Sequence, residues 1–128
     1  MPMIALTEPA GCGNAPRQLV IRDLVLALAE VNGSQLTELL AEKVRWDLAG
    51  AGTIEGVSQL TDRLSGQGEV ATIELASILT HGREGSIDGV LTFRNGRRQA
   101  FCHVLRFASA VKTAKVTEMR SYLVDLPG

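Results

Sequence analysis

The sequence lacks what the more conspicuous function classes require. It holds only two cysteines and two histidines. Cys12 sits in a Gly-rich leader and Cys102 in an alternating apolar stretch, so no His/Cys spacing suits a metal. A disulfide would have to tie an N-terminal tail to a sheet. The thiols read instead as free, in a reducing intracellular setting. Three Phe, one Tyr and one Trp leave little for base stacking, and a net charge of −1 supplies no basic field. Both facts argue against nucleic acid and anionic lipid as partners. The most apolar run, residues 19–31, is broken by Arg22, Asp23 and Glu30, so no membrane span is expected. Residues 1–10 lack a basic start and a continuous apolar run, so no signal peptide is expected and the expected location is cytoplasmic. Gly82-Arg83-Glu84-Gly85 is followed by no helix, so it is no phosphate loop. No cofactor and no metal are expected.

What is present is one ordinary domain. The chain has 128 residues, 45% hydrophobic and 21% charged. Residues 1–15, with Pro2, Pro9, Gly11 and Gly13, read as a flexible leader, and the domain as residues 16–126. Pro16 suits a helix start, and Val20, Leu24, Ala27, Leu28 and Val31 form an apolar stripe widened by Ile21 and Val25. Asn32-Gly33 predicts a left-handed stop. Ser34 then caps a short helix that buries Leu36, Leu39 and Leu40. Residues 44–48 alternate as a strand with Val44, Trp46 and Leu48 inward. Gly50-Ala51-Gly52 makes a turn, and residues 53–56 lead into a third helix at 57–64. After Glu69 the chain reads as four strands at 70–80, 86–94, 98–107 and 115–126, with a hairpin signal at Asn95-Gly96.

Helices gathered at the N-terminus and a meander at the C-terminus define an α+β domain, with three helices packed on a strongly curved antiparallel sheet around a cone-shaped cavity. The stretch 98–107 organises it. Phe101, His103, Leu105 and Phe107 share one face, while Ala100, Cys102, Val104 and Arg106 share the other. Inward parity gives an apolar pocket lined by Trp46, Leu48, Leu91, Phe93, Phe101, His103, Leu105, Met119, Ser121 and Leu123, with helix residues such as Val20, Leu24 and Leu28 closing it. His103 and Ser121 are its polar contacts. An imidazole titrates near neutral pH, so His103 is the candidate for proton transfer or for orienting a ligand, against the plainer reading of a satisfied core histidine. A Ser-His pair with no oriented acid carries no hydrolase signature. The opposite face joins Arg106, Arg120 and Tyr122 to Val104, Val116 and Val124. That is too apolar for water, and a homodimer through the sheet is expected.

Several of these stretches together resemble the nuclear transport factor 2-like superfamily, with its cystatin-like α+β fold, and in particular the SnoaL-like bacterial branch. They are the helix at 19–31, Val44-Arg45-Trp46-Asp47 followed by Ile54-Glu55-Gly56, and the hairpin of 101–107 with 116–122. The resemblance implies the fold and dimerisation through the sheet. It does not fix a chemistry, because the superfamily contains isomerases, cyclases, hydrolases and binders. The Asp-Arg-Asp, Tyr and Asn set of its epoxide-hydrolase-like members would fall on Gly89, Leu91, Ser121, Trp46 and Leu48, none of which matches. The base of its steroid-isomerase-like members would fall on Asp47, on the outer face by alternation, and the first helix lacks their tyrosine. Three functions stay open. They are binding of a small apolar molecule, an isomerase- or cyclase-type enzyme using His103 with Ser121 or Asp47, and a protein-interaction module without a ligand.

Overall fold

The structure is a computed structural model that describes residues 3–10 and 15–127. Cys12 lies outside the described residues. Helix α1 spans Pro16–Glu30, α2 Gly33–Leu39 and α3 Val57–Leu64. The strands are β1 Ala5–Thr7, β2 Leu40–Leu48, β3 Gly52–Glu55, β4 Val70–His81, β5 Glu84–Phe93, β6 Arg98–Phe107 and β7 Val116–Leu126. They form one curved sheet in the order β1-β4-β5-β6-β7-β2-β3. The meander β4 to β7 is antiparallel, but β2 joins β7 in parallel and β1 joins β4 in parallel.

Pro16 opens α1, and the Gln18 side chain reaches back to accept the Ala15 N–H at 3.2 Å. Ile21, Leu24, Val25 and Leu28 turn their stripe onto the sheet and are buried. The helix stops one residue before the expected Asn32-Gly33 pair. Val31 takes the left-handed conformation at φ 53°, and the N–H of Asn32 donates to the Ala27 carbonyl at 3.0 Å. The reason lies in α2, whose N-cap is Asn32 rather than Ser34. Asn32 Oδ1 accepts the Gln35 N–H at 3.2 Å and must be extended to do so. The reversal therefore falls on Val31, a strained place for a β-branched residue.

Leu40 leaves the helix pattern to begin β2, earlier than residue 44. Thr53, Ile54 and Glu55 are a strand rather than a lead-in, because Gly50 and Gly52 (φ 78° and 98°) fold them back against β2. Ala5–Thr7, assigned by sequence to the flexible leader, lies along the edge of β4. At the β5–β6 turn Gly96 alone takes positive φ, at 90°, while Asn95 Oδ1 accepts the Arg97 N–H at 2.9 Å. Asn95 thus braces the loop instead of entering the left-handed region.

The curl of the sheet is set on β4 and β5. The register shifts between Leu75 and Ser77, and Gly89 faces Leu75. A Cβ at Gly89 would sit 2.2 Å from the Glu74 carbonyl oxygen. Only glycine admits that approach. A Cβ at Gly85 would sit 2.6 Å from Ile21 Cδ1, so this glycine lets α1 settle onto the concave face. Val116, expected on the outer face, is buried inward instead. The register of β6 and β7 shifts at Phe107, and the shift reverses its parity relative to Arg120 and Tyr122.

Candidate functional site

His103 stands at the middle of β6, opposite Ser121 on β7 and Ile87 on β5. Trp46 comes from β2, the strand on the far side of β7, where Leu48 faces Ser121. Adjacent inward positions on three neighbouring strands therefore converge. Trp46 Nε1–H donates to Ser121 Oγ at 2.7 Å, and Ser121 Oγ lies 2.6 Å from His103 Nδ1. Ser121 is 1% exposed and His103 8%. The Phe101 ring stacks on the imidazole with centroids 5.2 Å apart. Burial pulls the His103 pKa down to about 4, so the ring is neutral near pH 7.

The imidazole edges a cavity of about 50 Å³ between the sheet and the helices. Of the expected lining, Trp46, Leu91, Phe101, His103 and Leu123 reach it. Leu48, Phe93, Leu105, Met119 and Ser121 do not line it, and they are packed into the core. Leu123 is at the mouth and 42% exposed, in the exposed second half of β7. Sequence parity omitted Val25 and Ala29 of α1 and the rim residues Gln67 and Gln99. Gln67 sits in the turn after α3 and donates to the Leu28 carbonyl at 3.1 Å. Alternation along strands says nothing about which turn residues fold over a hollow. The volume takes a few water molecules, since one needs roughly 10–15 Å³. It is well below the roughly 300–1,000 Å³ of ordinary ligand sites.

Asp47 is on the other face of the sheet. Thr53 Oγ1 donates to its carboxylate at 2.7 Å and Arg45 Nε at 3.2 Å. The Thr53 hydrogen bond, followed by Arg45, holds its pKa below the ordinary carboxylate value. Asp47 and His103 are not brought together, and the cavity lining contains no carboxylate. Among the described residues no cluster of His, Cys, Asp and Glu is arranged to hold a metal ion, and no helix is long and apolar enough to cross a membrane.

The outer face carries the other named residues. Val104 and Cys102 are half-buried, and the Cys102 thiol is pushed upward in pKa by burial and by the Asp88 charge. Tyr122 and Val124 are 47% and 59% exposed. Beside them a row of charges alternates across five strands. Glu84 faces Arg106, Arg106 faces Glu118, Glu118 faces Arg45, and Arg45 faces Glu55. Arg120 is exposed opposite Asp47.

Arg17 was given no role by sequence. It is buried in the first turn of α1, with its guanidinium 3.8 Å over the Phe107 ring and Nη2 donating to the Val111 carbonyl at 2.8 Å. It fastens the β6–β7 loop to the helix. An arginine next to a helix start ordinarily reads as solvated, so the sequence holds no sign of this.

No family model matches the chain, and no curated protein matches it by sequence. Solved structures do. A candidate ketosteroid isomerase from Kribbella flavida superposes with a TM-score of 0.72 at 16% identity, over 88% of this chain and 81% of that one. A nuclear transport factor 2-like protein of unknown function from Burkholderia xenovorans gives 0.69 at 20% identity, over 89% and 90%. A candidate isomerase of the SnoaL-like family from Agrobacterium tumefaciens gives 0.67 at 16% identity, over 86% and 99%. The chain has the nuclear transport factor 2-like fold. At these identities the likeness establishes the fold, and the activities in those descriptions belong to those proteins.

Proposed function

We propose that this protein binds a small, largely apolar molecule in the cavity beside His103. One observation carries this reading. His103 Nε2 has no hydrogen-bond partner among the described residues, and its ring edges an apolar hollow rather than packed core. Among the described residues the fully buried side-chain atoms left without a partner are Arg17 Nε and Nη1, not His103 Nε2, which opens on the hollow and is free to meet a ligand or ordered water there. The small volume supports a fragment-sized ligand, or a larger one that displaces Leu123 and Gln67 at the mouth. Proton transfer by His103 is the weaker reading, because no carboxylate lines the site and the imidazole is held neutral.

The protein acts as a homodimer in this reading, through the outer face of β6 and β7. Exposed Tyr122 and Val124, with Val104 and Leu79 on the same face, make an apolar centre, and the alternating charges make a self-complementary rim. The free thiol of Cys102 supports action in the reducing cytoplasm. Binding is tested by titrating ¹⁵N-labelled protein with indole and acetophenone while following the Trp46 indole N–H. Shifts centred on Trp46, Phe101 and His103 are expected. Shifts elsewhere, or none up to the solubility limit, would overturn the reading.

A further inference from the structure

The hydrogen-bond chain beneath the cavity decides what kind of ligand atom His103 can meet. An indole N–H only donates, so Ser121 Oγ must accept from Trp46 at 2.7 Å. The serine hydroxyl has one hydrogen left to place. The other polar side-chain atom in contact with it is His103 Nδ1, at 2.6 Å. If that hydrogen goes to Nδ1, then Nδ1 is the acceptor and the ring proton sits on Nε2. The opposite tautomer makes Ser121 Oγ accept twice and strands its own hydrogen in a site that is 1% exposed. Native structures avoid unpaired buried donors of that kind. Nε2–H then has no protein acceptor among the described residues, and its ring borders the hollow.

The walls narrow the choice further. Trp46 and Phe101 present aromatic surface, and neither Lys, Arg, Asp nor Glu lines the cavity. A cation would meet a fixed N–H donor and no counter-charge. An anion would meet a neutral ring and an apolar wall. We propose that Trp46 and Ser121 act as positioning residues that lock His103 as an Nε2–H donor, so that the cavity selects an uncharged apolar molecule carrying one hydrogen-bond acceptor, such as a ketone. This deepens the small-molecule reading above and rests on it.

The test has two arms on the full chain. Long-range ¹H–¹⁵N spectra of the imidazole at pH 7 give the tautomer without any ligand. A protonated Nε2 and an unprotonated Nδ1 are expected. Ser121→Ala should release the lock and average the two tautomers, and Ser121→Thr, which keeps the hydroxyl, should restore it. The second arm titrates cyclopentanone, cyclopentylamine and cyclopentane. Cyclopentanone should bind about tenfold more tightly than the other two, the ratio one good hydrogen bond supplies. That preference should vanish in His103→Phe. A protonated Nδ1 overturns the lock even if cyclopentanone binds. Equal affinity for the three probes overturns the acceptor assignment. No binding of any probe to a correctly locked ring overturns the small-molecule reading and the ligand class with it.

Discussion

A buried neutral histidine ties the stability of the fold to pH, and the size of that tie can be worked out. The perturbation is acidification from pH 7 to pH 4. His103 in the unfolded chain takes its proton near 6.5, whereas burial lowers the folded value to about 4. Between those values the unfolded state binds more protons than the folded one, so stability falls as pH falls. The contribution is fully present above pH 6.5 and is lost as pH drops through 4. Each pKa unit is about 1.4 kcal/mol, so the loss from this one ring is roughly 3 kcal/mol. Typical domains hold only about 5–15 kcal/mol in all. Other groups titrate in the same range, and a second variant removes them by difference. His103→Gln keeps a hydrogen-bonding side chain but cannot take the proton. Urea unfolding of both proteins at pH 7, 6, 5 and 4 should give curves that converge as pH falls, by about 3 kcal/mol over the series. Parallel curves would refute the reasoning, because they would mean that the ring is solvated enough to titrate normally.

Further outcomes follow from the same structure. Ser121→Ala leaves both the Trp46 N–H and His103 Nδ1 without a partner, and should cost roughly 2–4 kcal/mol at pH 7 by chemical denaturation. Gly89→Ala drives a Cβ to 2.2 Å from the Glu74 carbonyl, a backbone atom that cannot swing aside. It should cost about 3 kcal/mol and lower Tm by roughly 10 °C in calorimetry. Tyr122→Lys with Val124→Glu should turn a dimer into a monomer in analytical ultracentrifugation while leaving the circular dichroism spectrum unchanged. A wild-type protein already monomeric at high micromolar concentration would remove the dimer proposal.

Much of the fold was legible because its long elements carry clean periods. The alternation of β6 puts Phe101, His103, Leu105 and Phe107 inward, as the structure has them, since a strand buried on one face has no other register open to it. The stripe of α1 fixed its buried face in the same way. What the sequence concealed depends on contacts distant along the chain. Gly52–Glu55 becomes a strand only because β2 is there to pair with, and four residues are too few to show a period. Ala5–Thr7 pairs with β4 across more than sixty positions of chain. Val116 was misassigned because a register shift is invisible to simple alternation. The site was half legible. Parity brought His103 and Ser121 to one face, but the donation from Trp46 crosses diagonally from β2. The rim glutamines come from a turn and a strand end. The cavity was read as cone-shaped from the strands inward, whereas the hollow beside His103 is about 50 Å³ and Val25, Leu28 and Ala29 of α1 make up one of its walls.

What occupies the space beside His103 Nε2 decides whether this protein is a ketone-binding one. Crystals soaked in cyclopentanone would show it. Density is expected in the cavity between Trp46 and Phe101, with the ketone oxygen within hydrogen-bond distance of Nε2 and Leu123 or Gln67 displaced at the mouth. A cavity that stays closed at saturating ketone, or density lodged elsewhere on the protein, would contradict it.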